Sequence, residues 1–213
     1  MKLTTAHVKI CGITQREHAR LISDLGFGAI GFILFPKSPR NVELEAVAEI
    51  AADIQPLVKK IAVVVNRSLD DCLSVWRSGL FDCLQLHGDE TPELCSQLLT
   101  HGVKYYKAFR VSEEFDFNAL SAYPPGPVLL DTYQKDKYGG TGSAFNWSLL
   151  ARVEGKRPVI LSGGVTADNA LQAFAQPGVG SIDISSGVES SSGVKSAEKI
   201  TALARLINSQ KEA

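Results

Sequence analysis

Val128-Leu-Leu-Asp-Thr-Tyr-Gln-Lys-Asp-Lys-Tyr-Gly-Gly-Thr-Gly142 joins an apolar run directly to a carboxylic acid and then to a glycine-rich loop. Val128, Leu129 and Leu130 form the short continuous apolar segment that a parallel strand shows when both its faces are covered. Asp131 stands where the run ends, at what would be the carboxyl edge of a sheet. Partial desolvation there favours the neutral carboxyl and suits a general acid near neutral pH. The glycines permit a tight loop whose N–H groups can approach an anion. Taken alone, Asp131 could equally turn or cap the chain after a strand.

Outward from this stretch the same unit recurs in both directions. Val8-Lys-Ile10 reads as a strand with a helix over Thr14 to Leu25, and Ala29–Leu34 as a strand with a helix over Val42 to Ile54. Lys60–Val65 precedes a helix over Leu69 to Ser78, and Cys83–Leu86 precedes one over Thr91 to Thr100, opened by Thr91-Pro92 with an acid at Glu93. Val103 to Phe109 is the fifth strand, followed by a weak helix or loop over Glu113 to Ala122. Val128 to Leu130 is the sixth, with a short helix near Asn146 to Val153. Pro158–Leu161 and Ser181–Ile184 complete the set, with helices over Thr166 to Ala175 and Ser196 to Ile207. Eight strands alternating with helices, at roughly 25 to 27 residues per unit, is the cadence of an α/β single (β/α)8 barrel. A doubly wound open sheet would show five or six units, and no early loop carries GxGxxG. One domain over residues 1–213 is expected, since Ala122–Pro127 reads as a turn cluster rather than a linker.

Composition bounds the function. With 213 residues, 45% hydrophobic and 21% charged, the chain has material for one sizeable core. A net charge of −1 gives no reason to expect a nucleic acid or an anionic membrane as partner. No signal peptide or membrane-length apolar run is present, so a cytoplasmic location is expected. Cys11, Cys72, Cys83 and Cys95 show neither CxxC pairing nor zinc spacing, which argues against a disulfide framework and against a metal site.

In a barrel, the residues after each strand converge on one face, where active sites lie. After the first strand stands Cys11, followed by Gly12; a thiol at the mouth would ionise more easily than a buried one and could serve as nucleophile or base, or be a structural cysteine. Phe35-Pro-Lys-Ser-Pro-Arg40 is stiffened by two prolines and holds Arg40 over the mouth, where a guanidinium can take a planar carboxylate in a bidentate manner; a solvated surface arginine is the alternative. His87, in Gln85-Leu-His-Gly88, either touches a substrate or braces loops. The loops after the last two strands form the frequent phosphate site of this fold. Gly163, Gly164, Ser185, Ser186 and Gly187 are candidates for it, with Gly142 from the sixth loop. Asp183 lies inside the eighth strand, where an inward carboxylate would need partners.

With these residues in place, the chain resembles the phosphoribosylanthranilate isomerases of tryptophan biosynthesis. The resemblance is carried by Val8–Thr14, Ser38-Pro-Arg40, Gln85–Gly88, Leu129–Thr132, Gly139–Gly142 with Phe145 and Trp147, Ser162-Gly-Gly164, and Asp183–Glu189. It implies an Amadori rearrangement of a small phosphosugar, N-(5-phosphoribosyl)anthranilate, with no cofactor and no metal. It also implies Asp131 as the acid that protonates the ring oxygen and Cys11 as the base that removes the C2 proton. Arg40 would hold the anthranilate carboxylate and the glycines of the last two loops the phosphate; His87 and Asp183 are candidate further substrate contacts by their positions, in a monomer or homodimer. Lys195 is followed here by Ser196 where many relatives have an acid; serine caps a helix equally well. Another phosphosugar isomerase or epimerase barrel, or a non-catalytic barrel that binds sugar phosphates, is the alternative. A metal-dependent epimerase should show more histidines at strand ends than His87, and a pure binder would need neither Cys11 nor Asp131.

Overall fold

The structure is a computed structural model and describes residues 2–132, 146–153 and 157–209. Gly139–Gly142 and Phe145 lie outside the described residues. Eight parallel strands close in sequence order: β1 Val8–Cys11, β2 Ala29–Ile33, β3 Lys59–Val64, β4 Cys83–Leu86, β5 Tyr105–Val111, β6 Val128–Thr132, β7 Val159–Leu161 and β8 Val179–Ile184. Closure is made by β1, which pairs with β2 on one side and β8 on the other. Helices α1 Arg16–Asp24, α2 Leu44–Ile50, α3 Leu69–Arg77, α4 Pro92–Thr100, α5 Ala170–Phe174 and α6 Ala197–Ser209 follow β1, β2, β3, β4, β7 and β8. The (β/α)8 barrel expected from the repeat is the fold.

Alternation along each strand divides the apolar runs into two cores. Val8, Ile10, Ile30, Phe32, Leu84, Leu86, Val128 and Leu130 face outward and join the helices' apolar stripes, such as Ile22, Val47, Leu98 and Leu203, in one large cluster. Ile61, Tyr106, Ala108 and Leu129 face inward and form a separate cluster in the lumen. Strands covered on both faces read as continuous runs for this reason. Cys72 and Cys95 are fully buried in the outer cluster as small apolar residues.

Several helices are shorter than their periodicity suggests. The helix expected over Thr166 to Ala175 begins only at Ala170. Asn169 explains this: its Oδ1 accepts from Thr166 N at 2.8 Å and its Nδ2 donates to Gly164 O at 2.9 Å, which holds the preceding residues in a loop. The weak segments after β5 and β6 are 3-10 turns, Phe117–Ala122 and Trp147–Arg152, opened by Asp116 and Asn146 side chains that accept from the backbone two residues on. α4 begins as expected, with Thr91 Oγ1 accepting from Leu94 N and Pro92 in the first turn. Ser196 Oγ accepts from Lys199 N at the start of α6. An antiparallel hairpin, β9 Glu189–Ser191 with β10 Val194–Lys195, is added between β8 and α6. No helix among the described residues is long and apolar enough to cross a membrane.

Candidate active site

The inward positions at the carboxyl ends of the strands bring the site together. Cys11, Arg40, Gln85, His87, Asp131, Asp183 and Ser185 line one cavity of about 500 Å3, counted out to its open mouth, with Ile33, Phe35, Val63 and Val65 as its apolar wall. Five residues expected at the site from separate strand ends therefore share one space: Cys11, Arg40, His87, Asp131 and Asp183.

A buried polar chain crosses the lumen beneath this cavity. Lys9 and Asp183 are register partners on β1 and β8, and Lys9 Nζ donates to Asp183 Oδ2 at 2.8 Å. The same ammonium donates to Gln85 Oε1 on β4 at 2.9 Å, and the Tyr106 hydroxyl on β5 donates to that oxygen at 2.9 Å. Gln85 Nε2 lies 2.5 Å from His87 Nδ1, and His87 Nε2 lies 3.2 Å from Asp131 Oδ2. Burial works against the charge on Lys9, but Asp183, together with Cys11 and Tyr106, outweighs it and holds the ammonium well above lysine's usual range. Asp183 Oδ1 is buried with no hydrogen-bond partner among the described residues.

Cys11 corrects an expectation. The thiol is buried rather than open at the mouth, at 5% exposure. Burial pushes its pKa above the usual value, Lys9 and Lys195 pull it back, and Asp183 opposes them. Room for the sulfur comes from Gly31 across the β1–β2 pair. A Cβ there would meet Cys11 Sγ at 2.8 Å and Lys9 Cε at 2.9 Å, so the thiol and the lysine share the space left by one missing side chain.

Arg40 also differs from a guanidinium simply poised over the mouth. It is buried, and its Nε and Nη2 donate to Glu189 Oε1 and Oε2 at 2.7 and 2.6 Å. Lys195 Nζ donates to Glu189 Oε1 at 2.6 Å, so the hairpin β9–β10 carries a three-charge cluster that locks the arginine. Burial alone would raise the Glu189 pKa, but the two cations bring it down to about 2. Gly12, at φ 79°, leaves the space through which the Arg40 stem passes; a Cβ would meet Arg40 Cδ at 2.6 Å. The Nε–Nη2 edge is occupied. The end-on pair, Nη1 and the second Nη2 hydrogen, meets no acceptor among the described residues.

The loops after β7 and β8 carry the phosphate candidates. Gly163 and Gly164 adopt φ of 79° and 69°, and Ser186 to Val188 form a 3-10 turn. Among the described residues the N–H groups of Gly163, Gly164, Ser186 and Gly187 donate to no acceptor, which leaves them available to an anion. The Ser185 side chain departs from its expected role: its hydroxyl donates to Cys11 O at 3.2 Å and accepts from Lys195 Nζ at 3.3 Å, tying β8 to β1. Gly142 lies outside the described residues.

Gln85, Lys9, Tyr106, Glu189 and Lys195 were not singled out by sequence reasoning as site residues. Lys9 had a signal, as a lysine inside an otherwise apolar strand; Glu189 and Lys195 had none beyond their charge.

A family model described as N-(5'phosphoribosyl)anthranilate (PRA) isomerase matches residues 8–205. The N-(5'-phosphoribosyl)anthranilate isomerase of Pseudomonas putida is 40% identical over 207 residues, covering 96% of this chain and 98% of that protein. The crystal structure of the phosphoribosyl anthranilate isomerase from Thermus thermophilus superposes with a TM-score of 0.85 at 33% identity, over 96% of this chain and 99% of that one. A phosphoribosyl anthranilate isomerase in complex with reduced 1-(o-carboxyphenylamino)-1-deoxyribulose 5-phosphate superposes with a TM-score of 0.81 at 32% identity, over 95% and 98% of the two chains.

Proposed function

Because the chain belongs to the N-(5'-phosphoribosyl)anthranilate isomerase family, we propose that it converts N-(5-phosphoribosyl)anthranilate to 1-(2-carboxyphenylamino)-1-deoxyribulose 5-phosphate in tryptophan biosynthesis. It would do so as one domain over residues 1–213, in the cytoplasm, without cofactor or metal. The observation that carries the assignment of roles is that Cys11 and Asp131 line the same cavity as Arg40.

Asp131 is the general acid. Its proton goes to the ribose ring oxygen as the bond from that oxygen to C1 breaks, and the anthranilate nitrogen lone pair forms the C=N of an iminium. Cys11 is the general base. Its thiolate takes the C2 proton, and the C–H electrons form the C1–C2 double bond and neutralise the iminium. The enolamine then ketonises by losing the C2 hydroxyl proton and gaining one at C1, so the overall change is an isomerisation. Burial disfavours the thiolate; the positive iminium, together with Lys9 and Lys195, supplies the charge that favours it when the step requires it.

Binding groups surround the reacting carbons. The end-on pair of Arg40 suits the anthranilate carboxylate, and Glu189 keeps that pair aimed by occupying the other edge. Asp183 Oδ1 offers a bare acceptor to a sugar hydroxyl, His87 adjoins the acid, and the N–H groups of Gly163, Gly164, Ser186 and Gly187 suit the phosphate. Anchors at both ends hold C1 and C2 between acid and base.

The test is the loss of anthranilate-derivative fluorescence with freshly generated substrate, for the wild type, Cys11→Ser and Asp131→Asn. Rapid conversion by the wild type and near-complete loss in both folded variants is expected. Absence of wild-type turnover would overturn the assignment.

A further inference from the structure

We propose that Gln85 is a positioning residue that sets the tautomer of His87 and thereby makes Oδ1 the oxygen on which Asp131 carries its proton. The inference rests on the reading of Asp131 as the acid, and it follows from counting donors and acceptors along the lumen chain.

Lys9 Nζ can only donate, and it sits between Asp183 Oδ2 and the Gln85 side-chain amide. The amide atom facing Lys9 must therefore be the oxygen. The buried Tyr106 phenol donates to the same atom, which gives Oε1 two donors and fixes the amide's orientation. Gln85 Nε2 then faces His87 Nδ1 at 2.5 Å. An amide nitrogen can only donate, so Nδ1 must present its lone pair, because a hydrogen there would point at the amide's own. The ring hydrogen is left on Nε2, which donates to Asp131 Oδ2 at 3.2 Å. An N–H bond accepted at Oδ2 favours the acid's hydrogen on the other oxygen, Oδ1. The chain begins at an ammonium, which can only donate, anchored by an ion pair at 5% and 4% exposure. Gln85, at 1% exposure in the cavity wall, reaches Asp131 through His87.

The experiment uses 15N-histidine-labelled full-length protein without substrate. His87 is assigned among the four histidines by comparison with His87→Asn, and its ring-nitrogen signature is read in the wild type, Gln85→Glu and Gln85→Met. Kinetics on the same samples separate kcat from KM. The wild type is expected to show hydrogen on Nε2 and a bare Nδ1. Gln85→Glu replaces the donor with an acceptor and should draw hydrogen onto Nδ1. Its kcat should fall roughly tenfold or more while KM changes less than about threefold. Gln85→Met removes the constraint and should give mixed tautomers with a smaller kcat loss.

A wild-type His87 with hydrogen on Nδ1 overturns the proposal, even if neither variant folds. So does Gln85→Glu with an unchanged tautomer, or with an altered tautomer and unchanged kcat. A wild type that shows the expected tautomer but no turnover would instead remove the isomerase reading, so the two failures are distinguishable.

Discussion

Lys9–Asp183 and Lys107–Glu90 are both buried lysine–carboxylate pairs, and they lie on opposite faces of the same sheet. In the outer pair the bonding is closed. Lys107 Nζ donates to Gly88 O at 2.9 Å and Ala108 O at 2.6 Å, while Glu90 accepts from Asn66 N at 2.8 Å and Gly88 N at 2.9 Å. That pair clamps the ends of β3, β4 and β5. In the inner pair one oxygen, Asp183 Oδ1, has no partner among the described residues, and Asp183 lines the cavity. Burial and pairing are common to both and do not identify function. The partnerless carboxylate oxygen in the cavity wall sets the inner pair apart, because a buried polar atom without a partner is costly.

Four measurements test whether the inner and outer pairs differ in this way. The largest effect is expected in the cavity: Cys11→Ser and Asp131→Asn should each lower kcat by roughly 10²–10⁴-fold with a melting temperature near wild type. A variant that lost stability in proportion would mean the lumen residues are architecture as well. Outside the sheet the opposite is expected. Glu90→Gln leaves the Lys107 ammonium without its counter-charge and should cost about 3–5 kcal/mol in urea unfolding, while the enzyme that remains folded keeps its kcat. Retained stability with lost turnover would erase the distinction.

The Arg40–Glu189–Lys195 cluster is intermediate, since it is closed on one side and open on the other. Glu189 is held at about 2 against a usual 4.5, so its contribution is fully present above about pH 4.5 and is lost as pH falls towards 2. Its magnitude is about 3 kcal/mol. Stability measured across that window should fall more steeply in the wild type than in Glu189→Gln, and parallel curves would show that the cluster contributes no such term. The smallest effect is assigned to the bare oxygen itself. Asp183→Asn should raise KM by about 10–100-fold, the range of one hydrogen bond to a charged group, and an unchanged KM would mean that no substrate hydroxyl meets Oδ1.

Much of the barrel is legible in the sequence. The runs at Ala29–Ile33, Lys60–Val64 and Val128–Leu130 are apolar because both faces are covered, and such runs separated by amphipathic segments have few other solutions. Helix ends were less legible where a side chain competes with the backbone, as Asn169 does before α5. The hairpin Glu189–Lys195 was not legible: its residues are polar, lack alternation, and are held by Arg40 from 149 residues away. The environment of Cys11 was misread because a strand end beside a glycine looks open in sequence, whereas the barrel wall buries it.

Hydrophobic periodicity and residue types at strand ends therefore determined the number and order of the βα units and which chemical groups converge on one face, because those signals are local. The pairing of those groups belonged to the tertiary structure alone. Lys9 meets Gln85 across 76 residues and Asp183 across 174, and neither contact exists until β8 closes on β1. Hydrogen bonds are short and directional, so which oxygen is bare, which nitrogen donates and which edge of Arg40 is open are settled only when closure brings the strands into register.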